Sequence, residues 1–216
     1  AARERGVAMK GTLHVVALGL EDVAAVWEVD GQGRHHSSFD LPPGYPPGTI
    51  HTVFDGTHGW NVDPMRGDRL LPDDRVDQLR STSGGTTLFD PLPDGKPATY
   101  AGRASFRGVD CHRVDVRLDG DRTRSAFFDA QTGRYAGRTA EDESTLVLAD
   151  WREVDGAWVP FKRTEFDPEQ GLENRWSFAE GALAAPEADW FAMSDAIAEE
   201  LARREAGGDA SDGEAL

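Results

Sequence analysis

Histidine is the residue type in this sequence best suited to metal binding and to acid–base chemistry near neutral pH. The chain contains six histidines: His14, His35, His36, His51, His58 and His112. His35 and His36 are adjacent in a segment that we predict to be a strand, where neighbouring side chains point to opposite faces. They therefore cannot bind one ion as a pair, and a zinc site would need partners from other strands. The sequence predicts no metal site.

The common catalytic motifs are absent from the sequence. It has no Gly-x-Ser-x-Gly elbow, no glycine-rich phosphate loop and no His-Glu-x-x-His pair. Asp-Gly pairs, which tight turns favour, lie at 30–31, 55–56, 119–120 and 155–156. An enzyme would need a site built from scattered groups such as His58 with Asp55 or Asp63, and strand alternation sets His58 opposite Asp63. We therefore predict no catalytic residue, no cofactor and no enzymatic activity.

The charge of the chain restricts its partners. It has 39 acidic and 23 basic residues, a formal net charge of −16. This excess of negative charge argues against nucleic acid and against adsorption to anionic lipid headgroups. The lone Cys111 cannot form an internal disulfide, and its setting in VDCHRV predicts a small buried strand residue. With 216 residues, 38% of them hydrophobic, the chain can fill one domain.

Short strands at regular spacing dominate the rest of the pattern. The clearest unit is ADWREVDGAWVPF at 149–161, in which Asp155-Gly156 turns one alternating run into a second. Roughly a dozen strands are predicted, over 9–18, 23–30, 34–41, 50–54, 58–62, 100–107, 109–118, 122–130, 134–140, 144–154, 158–166 and 172–178. This spacing is typical of an all-β barrel or sandwich.

Two helical segments accompany the strands. Residues 71–85 carry helix start and stop signals in the right order. After Pro186, one helical stripe is formed by Trp190, Met193, Ile197 and Leu201. The predicted organisation is a sheet domain over 1–186, a C-terminal helix over 187–206 and a disordered acidic tail over 207–216.

Five segments follow one another with a characteristic order and spacing. They are FDGTHGWNVDPMRG (54–67), YAGRASFRGVDCHRVDVRLDGD (100–121), RSAFFDAQTGRYAGR (124–138), DWREVDGAWVPF (150–161) and APEADWFAM (185–193). Together they resemble the outer-membrane lipoprotein-sorting (LolA/LolB-like) superfamily, especially its poorly characterised bacterial members, over about residues 9–193. Two features depart from that family. The amphipathic helix that usually precedes the first strand is missing, and the terminal helix and tail extend past the usual end.

The resemblance implies a mainly β fold, in which a strongly curved antiparallel sheet forms an incomplete, half-open barrel with short covering helices. In the transport members the space between sheet and helices takes up the acyl chains of a lipoprotein. The resemblance therefore implies a monomeric, extracytoplasmic carrier of a lipid, acyl chain or other apolar ligand. It implies a periplasmic or similar location, after removal of an upstream signal or anchor. It also implies a partner protein that hands over the ligand.

Large apolar residues in the middle of strands are the candidates for lining such a trough. The expected ligand-binding set is Trp27, Val29, Trp60, Val62, Phe106 and Trp176. Ordinary core packing competes with this interpretation at each position, because the sequence does not reveal which strand face is concave. Two alternatives to a carrier therefore stay open: a structural or interaction module with a filled barrel, and an enzyme built from scattered polar groups.

Overall fold

The chain folds into a mainly β structure. The computed structural model describes residues 6–73, 75–76, 79–80, 97–117, 123–140, 143–168 and 171–206. The strands among these residues are β1 (Val7–Val15), β2 (Leu20–Val29), β3 (His35–Asp40), β4 (Thr49–Phe54), β5 (Gly59–Val62), β6 (Arg69–Leu70), β7 (Ala98–Phe106), β8 (Val109–Arg117), β9 (Thr123–Asp129), β10 (Tyr135–Ala140), β11 (Thr145–Val154), β12 (Ala157–Asp167) and β13 (Leu172–Ala182). Each predicted strand is present. The two-residue β6 is too short for its alternation to be recognised in the sequence.

All of these strands belong to one antiparallel sheet in the order β6-β5-β4-β3-β2-β1-β13-β12-β11-β10-β9-β8-β7. Neighbours in the chain are neighbours in the sheet, with one exception. β1 pairs with β13, so the first and last strands meet in the middle, and β6 and β7 become the two edges. The prediction of a mainly β, antiparallel sheet is confirmed.

The sheet is neither closed nor strongly curled. Among the described residues, buried apolar side chains form five separate clusters along the sheet. In a closed barrel every strand is paired on both sides, whereas the described sheet ends at β6 and β7 as its two edges. The strong curvature predicted for a half-barrel is therefore not observed, although the sheet is open as predicted.

The two faces of the sheet differ in exposure, and we name them after adjacent residues of β2: the Trp27 face and the Glu28 face. On β13, Trp176 is buried whereas the preceding Arg175 is exposed. Trp176 lies opposite Leu13 of β1, and both belong to the same buried cluster as Trp27. Burying each such side chain contributes about 1.5–3 kcal/mol. The Trp27 face is therefore the main core of the protein.

Gly11 allows β1 and β13 to approach each other at the centre of the sheet. The register of this pair shifts between Lys10 and Gly11, which marks a bulge. A Cβ atom at Gly11 would overlap the carbonyl oxygen of Ser177. A residue without a side chain is therefore required where the first and last strands join.

A C-terminal helix, α1 (Asp195–Glu205), covers part of the Glu28 face. The Ser194 hydroxyl caps it by accepting a hydrogen bond from the Ile197 N–H. The fully buried Ile197 packs in a cluster with Val53, Trp60 and Leu70. The helix begins later than predicted, because Ala188–Phe191 forms a 3-10 turn.

α1 also protects the edge of the sheet at β6. The Leu70 N–H donates to Glu200 Oε2 at 3.0 Å, and Arg204 Nη1 donates to the Leu71 carbonyl oxygen at 3.2 Å. These side chains occupy backbone groups that an edge strand would otherwise expose. No helix among the described residues is long and apolar enough to cross a membrane.

The predicted helix over 71–85 is described only in part. Residues 73, 75–76 and 79–80 are helical, and Val76 packs with Leu71 and Phe54. Because Phe54 lies opposite His35, which lies opposite Val29, this segment contacts the Trp27 face. Residues 81–85 of the prediction lie outside the described residues, as does the predicted tail at 207–216.

We expect Ile197→Ala to loosen α1 from the sheet. Truncating a fully buried isoleucine costs about 2–5 kcal/mol, so the backbone amides of α1 should exchange with deuterium faster. Glu199→Ala, on the exposed side of the same helix, is the matched control and should leave the exchange unchanged. Unaltered protection of α1 in Ile197→Ala would contradict this docking.

Candidate ligand-binding site

The structure distributes the predicted lining residues over both faces of the sheet. Trp27, Val29 and Trp176 lie together in the buried cluster of the Trp27 face. Trp60 and Val62 lie on the Glu28 face, in the cluster that α1 covers. These two groups therefore cannot line one trough.

Phe106 lies apart from both groups. Its ring stacks on Phe127 at a centroid distance of 4.2 Å, in a small cluster around the buried Cys111. Cys111 is fully buried in this cluster, as predicted, and burial raises the pKa of its thiol. The six residues predicted to contact the ligand therefore lie in three separate places: three on the Trp27 face, two under α1 and one beside Cys111.

Polar groups without partners interrupt the apolar Trp27 face. The His35 ring nitrogens, the Trp176 Nε1 and the Tyr135 hydroxyl are buried and find no hydrogen-bond partner among the described residues. His35 is only 5% exposed and Tyr135 only 4%. Leaving such a group unsatisfied costs about 1–3 kcal/mol. Native cores satisfy almost all of them, so this concentration on one face requires an explanation.

His35 is held neutral on this face. It lies opposite Val29 on β2, with its ring centroid 5.9 Å from that of Trp27. Burial lowers its pKa from 6.5 to about 3, and the nearby charges of Arg163 and His36 act in the same direction. The imidazole is therefore an uncharged donor and acceptor at neutral pH.

Arginines lie beyond Trp176 on the same face. Arg163 of β12 lies opposite Trp176, is 6% exposed and sets its guanidinium 5.0 Å from the Trp27 ring centroid. Its Nε donates to Glu165 Oε1 at 2.8 Å. A buried guanidinium, paired with the Glu165 carboxylate, therefore lies next to the Trp27 ring.

Two more arginines follow across the sheet. Glu165 lies opposite Leu146, which lies opposite Arg138 of β10, and Arg124 of β9 has the same side-chain direction. The pKa of Arg138 is lowered to about 10, chiefly by burial; Tyr135 and Glu165 act to raise it, and Arg124 and Arg163 act to lower it. Burial also lowers the pKa of Arg124. The strand register therefore sets Arg124, Arg138 and Arg163 on one face of the sheet.

Tyr135 lies among these arginines. Burial raises the pKa of its phenol, while Arg138, Arg124 and Arg163 act to lower it. The net rise keeps the hydroxyl protonated at neutral pH, so it is a donor as well as an acceptor. We call Arg124, Tyr135, Arg138 and Arg163 the arginine cluster.

A separate polar network lies on the Glu28 face. His36 Nδ1 is 2.8 Å from Glu28 Oε2, and His36 Nε2 is 3.1 Å from His51 Nδ1. The two imidazole planes differ by only 17°. The Trp190 ring lies over both, at centroid distances of 4.2 and 5.0 Å. This network attaches the segment before α1 to β3 and β4.

The sequence did not predict this histidine network, because its contacts depend on the strand register. Glu28 lies opposite His36, and His51 lies diagonally from it on β4. Burial, followed by the charge of His36, lowers the pKa of His51, while Asp40 acts in the opposite direction. Strand alternation predicted His35 and His36 on opposite faces, and the structure confirms this. Alternation could not have identified their partners.

In the described part of the chain, neither a group placed to hold a metal ion nor a hydrogen bond from the His58 imidazole to Asp55 or Asp63 is present. The described residues contain no group of three or more His, Cys, Asp or Glu side chains placed to hold a metal ion. His58 Nδ1 lies 3.8 Å from Asp55 Oδ2, beyond the hydrogen-bond distance of about 3 Å that a catalytic pair needs. Asp63 instead accepts from the Met65 N–H at 2.8 Å. Both aspartate side chains accept hydrogen bonds from backbone N–H groups of the turns that follow them.

A cavity of about 440 Å³ opens at the β5–β6 edge, between the helical residues near Val76 and α1. Its apolar wall is formed by Leu70, Leu71, Val76 and Leu201, and charged side chains including Arg204 form its rim. None of the six predicted lining residues contributes to it. Its volume lies within the range of small-ligand sites, about 300–1,000 Å³.

The architecture has counterparts among solved structures. No family model and no curated protein matches the sequence. An outer membrane lipoprotein-sorting protein domain, so named, from Vibrio parahaemolyticus has a TM-score of 0.61 at 10% identity, covering 88% of this chain and 92% of that one. A DUF1329 family protein from Desulfovibrio piger has a TM-score of 0.60 at 10% identity, covering 90% and 92%. A LolA superfamily protein from Nitrosomonas europaea has 0.56 at 9%, also covering 90% and 92%.

The chain has the LolA-like fold. The predicted resemblance is confirmed at this level, over nearly the whole folded part. At 9–10% identity, the likeness establishes architecture only. The ligand and the residues that bind it must therefore be argued from the side chains of this LolA-like chain.

Acidification should destabilise the protein through His35. Its folded pKa is about 3 against 6.5 when unfolded, so below pH 6.5 the unfolded chain gains a proton that the folded chain does not bind. This group alone should lower the free energy of unfolding by about 2 kcal/mol between pH 7.5 and pH 5. Urea unfolding at both pH values measures it. In His35→Phe, the drop in the free energy of unfolding between the two pH values should be smaller by about that amount. An equal drop in the variant and the unaltered protein would contradict the assignment.

Proposed function

We propose that the chain is a non-catalytic binding or carrier protein that holds the apolar chain of a lipid or acylated ligand against the Trp27 face. The observation that carries this proposal is the set of buried polar groups on that face, in His35, Tyr135 and Trp176, without hydrogen-bond partners among the described residues. Ligand sites combine an apolar wall with a few convergent polar groups. A completed core would have satisfied them.

The LolA-like fold supports the same proposal. The largest apolar cluster of the sheet lies on its Trp27 face, along which a chain of methylenes would lie. Each methylene that leaves water there contributes about 0.8 kcal/mol. Within the predicted set, this proposal retains Trp27, Val29 and Trp176 as ligand contacts, and it leaves Trp60, Val62 and Phe106 to packing.

A structural or interaction module is the second candidate function. It is favoured by the nearly complete burial of the tryptophans: Trp27 is 4% exposed, Trp176 8% and Trp60 1%. In that case the apolar side chains fill the Trp27 face themselves, and no acyl chain would bind. Ligand uptake by the folded protein separates the two candidates.

We further propose an extracytoplasmic, periplasmic setting, in which a monomer receives its ligand from a partner protein. The support is the likeness in fold to a lipoprotein-sorting domain and to a LolA superfamily protein. A carrier of an insoluble ligand is useful where the ligand must cross an aqueous space. Burying the chain on the Trp27 face would allow that transfer.

The delipidated protein should bind about one equivalent of a fatty acid that carries bromine on its chain, and bromine should quench the fluorescence of tryptophans in contact with it. Because Trp27 and Trp176 share the proposed surface, replacing both by phenylalanine should remove most of the quenching. Trp158→Phe is the matched control, since Trp158 is 45% exposed near a hairpin turn.

Failure of uptake, in protein that unfolds cooperatively, would exclude the carrier and favour the filled module. Quenching that persists in the double variant would put the ligand elsewhere on the molecule.

A further inference from the structure

We infer that the arginine cluster binds the anionic headgroup of the ligand, so that the carried molecule is an acidic amphiphile with a carboxylate or phosphate at one end. This inference rests on the proposed function and names the class of ligand. It follows from three features of the Trp27 face: the convergence of cations, a buried hydroxyl donor among them, and an apolar surface that begins beside them.

The first feature is the convergence of cations from three strands. Arg124, Arg138 and Arg163 belong to β9, β10 and β12, and the strand register sets all three side chains on the Trp27 face. Glu165 lies on the same face and pairs with Arg163. Guanidinium groups present planar pairs of N–H donors that match carboxylate and phosphate oxygens.

The second feature is the Tyr135 hydroxyl. Tyr135 is 4% exposed, and its hydroxyl has no hydrogen-bond partner among the described residues. Because it is protonated, it can donate to an oxyanion placed among the arginines. A buried donor that lacks a partner beside several cations is what an anion site requires, and packing alone gives no reason for it.

The third feature is the direct contact of cations with the apolar surface. The Arg163 guanidinium lies 5.0 Å from the Trp27 ring centroid, and Trp176 is opposite Arg163 in the sheet. An acidic group held at the cluster would therefore have the apolar cluster of β1, β2 and β13 beside it. A free anion would gain nothing from that surface, whereas the apolar chain of an amphiphile would be stabilised by leaving water there.

Four ligands of matched size separate the sources of the anionic group: decanoate, decyl phosphate, 1-decanol and inorganic phosphate, each measured by calorimetry. We expect decanoate and decyl phosphate to bind at least about tenfold more tightly than 1-decanol, since hydrogen bonds to a charged group contribute that much. Inorganic phosphate alone should bind more weakly than decyl phosphate, because it lacks the chain.

Two variants assign the effect to the cluster. Tyr135→Phe removes a hydroxyl without a partner and should leave the ligand-free protein at least as stable, while weakening decanoate binding several-fold. Arg163→Gln should weaken it by about tenfold or more. Arg175→Gln is the control, because Arg175 is exposed on the other face and makes the same type of pair, with Glu173. Binding of 1-decanol should be unchanged in every variant.

Each other outcome overturns a stated part of this account. If 1-decanol binds as tightly as decanoate, the carrier stands and the headgroup inference fails. If no amphiphile binds, both fail. If inorganic phosphate equals decyl phosphate, the cluster is a site for a free oxyanion and not for a headgroup. If Tyr135→Phe and Arg163→Gln bind decanoate like Arg175→Gln, the anion lies outside the arginine cluster.

Discussion

The pairing of β1 with β13 is the interaction on which the rest of the structure depends. Without it the chain would be two separate meanders, β1 to β6 and β7 to β13, and the largest buried cluster, which combines side chains of β1, β2, β12 and β13, would be divided. The bulge at Gly11 makes this close pairing possible. It joins the tryptophan-rich strands to the strands that carry the arginine cluster, and thereby makes the Trp27 face continuous.

Charge is distributed in opposite ways outside and inside this sheet. The whole chain carries −16, which keeps it away from anionic surfaces, yet arginines of three strands gather on its buried face. Guanidinium groups match the oxygens of a carboxylate or phosphate. An acidic ligand that entered from the aqueous phase would therefore meet complementary charge on this face, although the chain as a whole is negative.

The sequence was sufficient for the strands and insufficient for the site. Alternation and Asp-Gly turns located nearly every strand, because those signals are local. The sequence could not show whether Trp27 and Trp60 lie on the same face of the sheet. Two strands, β3 and β4, separate them, and the answer depends on the register of every pair between. Trp190 was expected on a helical stripe and lies instead over His36 and His51. The arginine cluster, contributed by β9, β10 and β12, required the full strand order.

A crystal structure of the protein with decanoate tests the central claim most directly. The account predicts the carboxylate within about 2.7–3.2 Å of donors from Tyr135 and the arginines of the cluster, with the chain running along the Trp27 face. A decanoate bound in the cavity at the β5–β6 edge, or on the Glu28 face, would contradict it.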